Sequence, residues 1–132
     1  MFDLSTRILV VDDMLTMRKL VQKACKEIGF TDFIEAADGA KAFEALTASE
    51  SPVGLVLSDW NMPNCTGLDF LKRVRSDSRY ADLPFILITA EAEKEQIVEA
   101  IKSGVTNYVV KPFTADMLKG KLAAAYAKVT GG

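Results

Sequence analysis

Histidine is missing from the sequence, and cysteine and tryptophan are scarce. The 132 residues include no histidine, two cysteines and one tryptophan. Without histidine, the chain lacks the commonest general base of enzymes and the Ser-His and Cys-His pairs that activate nucleophiles. Cys25 and Cys65 lie far apart and form no C-x-x-C motif, which excludes the usual zinc and thioredoxin-like sites. We therefore expect two reduced cysteines.

An excess of one charge and long apolar runs are also missing. The 16 basic and 18 acidic side chains give a formal net charge of -2, so nothing in the composition favours binding to nucleic acid. No apolar stretch approaches the roughly 20 residues that span a bilayer, and Met1–Arg7 lacks the regions of a signal peptide. The phosphate-binding pattern G-x-x-x-x-G-K-[ST] is absent too, so a nucleotide is not the obvious ligand. We expect a soluble, cytoplasmic protein without membrane insertion.

The order of apolar segments predicts the fold. With 49% hydrophobic residues, the chain can fill one core. Short apolar runs alternate with longer segments of helical period, as in parallel strands joined by right-handed crossover helices. The predicted strands are Ile8–Val11, Phe33–Ala36, Leu55–Leu57, Phe85–Thr89 and Asn107–Val110. We predict a doubly wound α/β fold of five strands and five helices, with residues 1–132 as one domain and no output domain.

The first helix is predicted by an apolar stripe with the spacing i, i+3, i+4, i+7. The stripe consists of Met17, Leu20, Val21, Ala24, Cys25 and Ile28. Gly29 then ends the helix, and Cys25 is expected in the core. The other predicted helices are Ala40–Ala48, Gly67–Ser76, Glu91–Ser103 and Ala115–Val129. Gly120 in the last helix marks either a close packing contact or, as we favour, a tolerated weakness of about 1 kcal/mol relative to alanine.

Polar side chains stand at the ends of four predicted strands. Asp12 and Asp13 follow the first strand, Asp59 follows the apolar run of the third, Thr89 ends the fourth and Lys111 follows the fifth. In parallel sheets these ends share one edge, where α/β proteins bind ligands. Taken singly, Asp12 or Asp13 could cap the first helix, and Thr89 could cap the fourth. Asp59 could be a turn residue ahead of Pro63, and Lys111 an ordinary solvated lysine. Taken together, they predict a functional site.

The residue types at this edge indicate phosphoryl chemistry. Two carboxylates about 4 Å apart repel each other by about 4 kcal/mol at an effective dielectric near 20, so three of them need cations. Lys111 supplies one positive charge, and Mg²⁺ suits a site made of oxygen ligands. A carboxylate surrounded by Mg²⁺, a lysine and a hydroxyl is suited to carrying a phosphoryl group.

Four segments resemble the response-regulator receiver family over nearly the whole chain, and in particular its single-domain chemotaxis members. They are LVVDDMLTMR at 9–18, SDWNMP at 58–63, ITAEA at 88–92 and NYVVKPF at 107–113. The paired aspartates, the later aspartate, the threonine and the Lys-Pro pair are common to receivers. Trp60, the TAEA segment with Lys94, and YVVKPF favour the chemotaxis type. The resemblance implies a flavodoxin-like sheet of strand order 2-1-3-4-5.

The resemblance also implies residue roles. Asp59 would be the phosphoacceptor and would take the phosphoryl group from the phosphohistidine of a chemotaxis histidine kinase. Asp13, Asp59 and the backbone carbonyl of Asn61 would bind Mg²⁺, with Asp12 acting through water. Asn61 and Glu91 would border the path of the water that hydrolyses the phosphoryl group.

Two further residues complete the implied phosphoryl site and connect it to a switch. Thr89 and Lys111 would each contact a phosphoryl oxygen, and the Lys111–Pro112 peptide bond would be cis. Movement of Thr89 toward the phosphate would let the ring of Tyr108 turn inward. This two-state element would report phosphorylation to the surface.

The implied output surface lies on the fourth helix, fifth strand and fifth helix. Its candidates are Ala92, Lys94, Ile97, Tyr108 and Lys121. A flagellar motor switch protein would bind there, and a phosphatase is a further candidate partner; an ordinary solvated helix face is the alternative. We expect a monomer.

The chain departs from close relatives at two places. Cys65-Thr66 stands where a Met-Asp pair is familiar, which affects local turn capping, and Glu93 stands beside Lys94 where a second basic residue is familiar. The second change could weaken or retune a motor contact. We also expect Trp60 to be partly exposed and useful as a fluorescence probe.

Two other functions use similar residues. Phosphohydrolases with an aspartate nucleophile have Asp-x-Asp at the first strand, whereas the pair here is adjacent, and 132 residues leave no room for a substrate-selecting cap domain. A phosphate-sink or relay receiver would share the whole pocket but bind no motor. We therefore expect a signalling phosphoacceptor that is not an enzyme beyond forming and hydrolysing its own aspartyl phosphate.

Overall fold

The protein is built on a central parallel sheet in the computed structural model, which describes residues 1–90 and 93–131. Its strands are β1 (Arg7–Val11), β2 (Asp32–Ala36), β3 (Val53–Asp59), β4 (Phe85–Thr89) and β5 (Asn107–Val110). The α-helices are α1 (Leu15–Ile28), α2 (Gly39–Ala48), α3 (Gly67–Ser76), α4 (Lys94–Lys102) and α5 (Ala115–Val129), with a short 3₁₀ helix at Ser78–Tyr80. None of these helices combines the length and apolar character needed to cross a membrane.

The strand order is β2-β1-β3-β4-β5, with all pairs parallel, which confirms the predicted doubly wound α/β fold. The register aligns the carboxyl ends of the strands. Val11 is the partner of Ser58, and Asp59 is the partner of Ile88. Residue 12 therefore comes level with Asp59, and Thr89 follows one position further along. The polar residues predicted to converge do so because of this register.

The two faces of the sheet are covered by different helices. Because successive strand residues point to opposite faces, Leu9 and Val11 pack with α2, α3 and α4, whereas Ile8 and Val10 pack with α1 and α5. Burial on both faces explains why the central strands are continuously apolar. The sheet is held from both sides, and its carboxyl edge is a rigid base for the side chains that emerge there.

The stripe predicted on α1 is correct except at one residue. Val21, Ala24 and Cys25 are buried, and burial raises the pKa of the Cys25 thiol to about 12. Leu20 was expected in the core, but it is 51% exposed. It lines an apolar groove of about 460 Å³ between α1 and the segment 111–113. That segment leaves Leu20 uncovered, which sequence spacing cannot reveal.

Element ends were predicted closely. The bounds of α3, α5, β4 and β5 are those expected, and β3 is longer at both ends. The predicted helix Glu91–Ser103 is observed as α4; residues 91 and 92 lie outside the described part of the chain. A Cβ built at Gly120 meets no atom within 4 Å, so this glycine does not mark a close packing contact.

Helix capping does not explain most of the polar residues at the carboxyl ends of the strands. Thr66 and Thr114 cap α3 and α5 through their side chains. Asp12 accepts a hydrogen bond from the backbone N–H of Met14, although Met14 is itself the N-cap of α1. The cap position of α4 is Glu93, so Thr89 does not cap that helix. Asp59 and Lys111 have no capping role in the described chain.

Candidate functional site

Backbone hydrogen bonds extend the sheet past its strand ends and fix the residues of the site. The amide of Asp12 donates to the carbonyl of Ala36 at 3.2 Å, and the amide of Trp60 donates to that of Ile88 at 3.0 Å. The amide of Lys111 donates to the carbonyl of Thr89 at 2.8 Å. The chain is therefore anchored at or next to each polar group that the sequence predicted.

Three carboxylates gather at this edge. One carboxylate oxygen from each of Asp12, Asp13 and Asp59 lies within 4.8 Å of the other two. Asp12 and Asp59 are buried, whereas Asp13 is exposed. The sequence placed these three residues together, and their geometry agrees.

Lys111, which follows the edge strand β5, contacts this cluster. Its Nζ lies 3.0 Å from Oδ1 of Asp59 and 3.5 Å from Oδ2 of Asp12. The Lys111–Pro112 peptide bond is cis, as expected from the resemblance. One ammonium group therefore contacts two of the three carboxylates.

The electrostatics of the site favour an added cation. Burial is the main cause that raises the pKa of Asp12; the amide of Met14 and the ammonium of Lys111 oppose it, and the neighbouring carboxylates of Asp59 and Asp13 add to it. Three ionised carboxylates and one ammonium group leave two formal negative charges. A hard divalent cation would neutralise them, and the donor set is entirely oxygen, as Mg²⁺ prefers. The residues present therefore fit a magnesium ion.

The loop after Asp59 packs tightly against the backbone of that residue. The amide of Gly67 donates to the carbonyl of Trp60 at 2.9 Å, and a Cβ at Gly67 would overlap the carbonyl oxygen of Asp59. Trp60 is only 8% exposed and belongs to the buried core of the sheet face covered by α2, α3 and α4, so the expectation of partial exposure was wrong. Asn61, next in the loop, is exposed. Sequence reasoning placed Gly67 at a helix start but missed its close contact with Asp59.

The two predicted switch residues share one face of the sheet. Thr89 is buried at the end of β4. Tyr108 on β5 pairs with Leu87, which precedes Thr89 by two residues on β4, so the side chains of Thr89 and Tyr108 point to the same face. Tyr108 is half-buried against the core of that face. Its ring lies 4.9 Å from Nζ of Lys121 on α5. Tyr108 therefore lies on the same sheet face as Thr89, with its ring next to Lys121.

Part of the predicted output surface is described. Lys94 is exposed at the start of α4, Ile97 is partly exposed, and Lys121 is partly buried beside Tyr108. Ala92 and Glu91, proposed for partner binding and hydrolysis, lie outside the described residues.

Comparison with known proteins gives the class. The response regulator receiver domain family matches residues 8–123, so the chain belongs to that family. This confirms the resemblance inferred from the four sequence segments.

Within the family the chain is CheY-like. The chemotaxis protein CheY of Pseudomonas aeruginosa is 44% identical over 125 residues, which cover 95% of this chain and 99% of that protein. The chemotaxis protein CheY1 of Helicobacter pylori is 46% identical over 116 residues, which cover 88% of this chain and 93% of that protein. The solved structure of Vibrio cholerae chemotaxis protein CheY4 has a TM-score of 0.83 and 31% identity, and the match covers 92% of this chain and 98% of that one.

Proposed function

We propose that the protein is a stand-alone response regulator in which Asp59 accepts a phosphoryl group from the phosphohistidine of a chemotaxis histidine kinase. The observation that carries the proposal is the ammonium group of Lys111, 3.0 Å from an Asp59 oxygen, beside the carboxylates of Asp12 and Asp13. This arrangement places a nucleophilic carboxylate among groups that stabilise phosphoryl charge.

The residues of the chain have separate tasks in the transfer. A carboxylate oxygen of Asp59 attacks phosphorus, the P–N bond breaks, and its electron pair returns to the imidazole of the donor. Lys111 and the hydroxyl of Thr89 stabilise charge on the phosphoryl oxygens. Asp13, Asp59 and the carbonyl of Asn61 would hold Mg²⁺, with Asp12 acting through water, and the ion would supply further charge stabilisation.

Hydrolysis returns the receiver to its resting form. Asn61, which is exposed next to the acceptor loop, and Glu91 would control access of water to the aspartyl phosphate. Formation and hydrolysis of this bond on its own aspartate are the only chemistry we assign to the protein. It is a signalling phosphoacceptor and acts on no other substrate.

The output is a switch at Thr89 and Tyr108 that alters the face bearing Lys94, Ile97 and Lys121. Support comes from the shared sheet face of the two switch residues and from similarity to chemotaxis proteins. The proposed partner on this face is a flagellar motor switch protein. A receiver acting only as a phosphate sink or relay would have the same pocket and would not bind this partner.

Fluorescence of Trp60 tests the phosphoryl switch, because this tryptophan follows Asp59 directly and its amide is bonded to β4. The protein is titrated with Mg²⁺ and then with beryllofluoride, a mimic of the phosphoryl group. We expect saturable changes in the parent that vanish in Asp59→Asn. A folded parent without a response would contradict the proposal.

A binding assay tests the output. A peptide from a motor switch protein is titrated against the protein with and without beryllofluoride. We expect tighter binding with beryllofluoride and loss of that gain in Tyr108→Ala. Equal or absent binding in both states would favour the sink or relay receiver.

A further inference from the structure

Arg18, on the first turns of α1, folds back onto the end of β1. Its Nη1 donates a hydrogen bond to the backbone carbonyl of Asp12 at 2.7 Å. Its Nε donates to Oε1 of Glu35 at 3.0 Å. The side chain is only 16% exposed, which is low for an arginine on a helix surface. The guanidinium therefore links the end of β1 to Glu35 on β2.

The carbonyl that Arg18 holds belongs to the peptide that leads into Asp13. Because a peptide unit is planar, the direction of the Asp12 carbonyl also fixes the amide of Asp13. The other side of Asp12 is fixed already, since its amide is bonded to Ala36. Asp13 itself lies past the end of β1 and is exposed, so the orientation of its carboxylate depends on the peptide before it.

Glu35 holds the guanidinium of Arg18 in this position. Burial alone would raise its pKa, but the hydrogen bonds from Lys19 and Arg18 hold the pKa of Glu35 below its ordinary value. Lys19 contacts the other carboxylate oxygen at 3.0 Å and is 59% exposed. Lys19 thus shares Glu35 with Arg18, whereas the Asp12 carbonyl is held by Arg18.

We propose that Arg18 is a positioning residue that orients the Asp12–Asp13 peptide and thereby brings the Asp13 carboxylate into the metal site. The inference rests on the proposed function, because it assigns a role toward the same site. Replacing a residue that orients a metal ligand through hydrogen bonds typically lowers metal affinity by about 10-fold or more. We expect an effect of about that size here.

The sign of the effect separates positioning from charge. Arg18 is a cation next to an acidic site, so by charge alone its removal would strengthen the binding of a divalent cation. If Arg18 positions Asp13, its removal weakens that binding instead. The two explanations therefore predict opposite changes in the same measured affinity.

The test measures Mn²⁺ binding from the loss of the electron paramagnetic resonance signal of the free ion, and Mg²⁺ affinity by competition. The variants are Arg18→Met, which removes every donor, and Arg18→Lys, which keeps the charge but not the guanidinium. Lys19→Met is the matched control, because it removes a cation from Glu35 without touching Asp12. Urea unfolding in EDTA reports the fold of each variant separately.

We expect Arg18→Met to bind Mg²⁺ about 10-fold more weakly than the parent, and Lys19→Met to stay within about twofold. Arg18→Lys should be weaker by about threefold, and it decides the question if Arg18→Met does not fold. Unchanged or tighter binding in Arg18→Met or Arg18→Lys would overturn the inference, as would equal weakening in Lys19→Met. A parent that binds neither ion would overturn the proposed metal site itself, an outcome distinct from failure at Arg18 alone.

Discussion

Replacement of Asp13 by asparagine should stabilise the metal-free protein. One carboxylate oxygen from each of Asp12, Asp13 and Asp59 lies within 4.8 Å of the other two. At that separation each like-charge pair costs about 3.5 kcal/mol at an effective dielectric of 20 and about 0.9 kcal/mol in water. Because Asp13 is exposed and Lys111 offsets part of the repulsion, we expect Asp13→Asn to raise the free energy of unfolding by about 1–2 kcal/mol at low ionic strength.

Magnesium should reverse this order of stability. A ligand that binds only the native state stabilises it by RT ln(1 + [L]/Kd), or about 2.7 kcal/mol at 100 times Kd. The parent should gain this stabilisation, whereas Asp13→Asn, which lacks one carboxylate ligand, should gain much less. With enough Mg²⁺ the parent becomes the more stable protein.

Urea unfolding, followed by circular dichroism in EDTA and at increasing Mg²⁺, measures both effects. Glu27→Gln, which neutralises an exposed carboxylate near the end of α1, is the control and should change stability by less than about 0.5 kcal/mol under either condition. If Asp13→Asn were less stable than the parent in EDTA, repulsion among the carboxylates would not control the stability of the metal-free site. If Mg²⁺ stabilised parent and variant equally, Asp13 would not be a ligand.

Three further predictions follow from packing and burial. Gly67→Ala should lower the free energy of unfolding, measured in urea, by about 2–3 kcal/mol, because its Cβ would overlap the Asp59 carbonyl. Gly120→Ala should raise it by up to about 1 kcal/mol, because a Cβ there meets open space. Equal effects of the two changes would contradict this. Cys25 should resist alkylation in the native protein, because burial raises its pKa to about 12, and half-buried Cys65 should react slowly. Since the folded-state pKa of Cys25 lies above its ordinary value of 9.0, its contribution to stability should be intact below that pH and lost as the pH rises toward about 12. Rapid native labelling of Cys25, detected by intact mass, would refute the burial argument.

The sequence alone predicted the sheet and the convergence of its polar residues. Apolar runs covered on both faces mark strands directly, and parallel pairing brings their carboxyl ends together, so Asp12, Asp59 and Lys111 could be placed without coordinates. The expected cis bond before Pro112 came from the resemblance and not from spacing.

The misplaced residues share a physical cause. Leu20 has the spacing of a core residue, but burial depends on what covers the helix, and segment 111–113 leaves that position in a groove. Trp60 was expected to be partly exposed, but it is buried, and α3 approaches it closely through Gly67. Nothing in the sequence predicts the contact that Arg18 makes, because its partner is a backbone carbonyl, and every residue has one.

The most direct test of the central claim is the transfer of a phosphoryl group to Asp59 from phosphoramidate, a small donor with a P–N bond that requires no kinase. The protein is incubated with this donor with and without Mg²⁺, and the product is analysed by intact mass and peptide mapping. We expect one phosphoryl group, on the peptide that contains Asp59, only when Mg²⁺ is present, and none at that peptide in Asp59→Asn. A folded parent that remains unmodified, or one modified at another residue at the same rate in both proteins, would contradict the assignment of Asp59 as the phosphoacceptor.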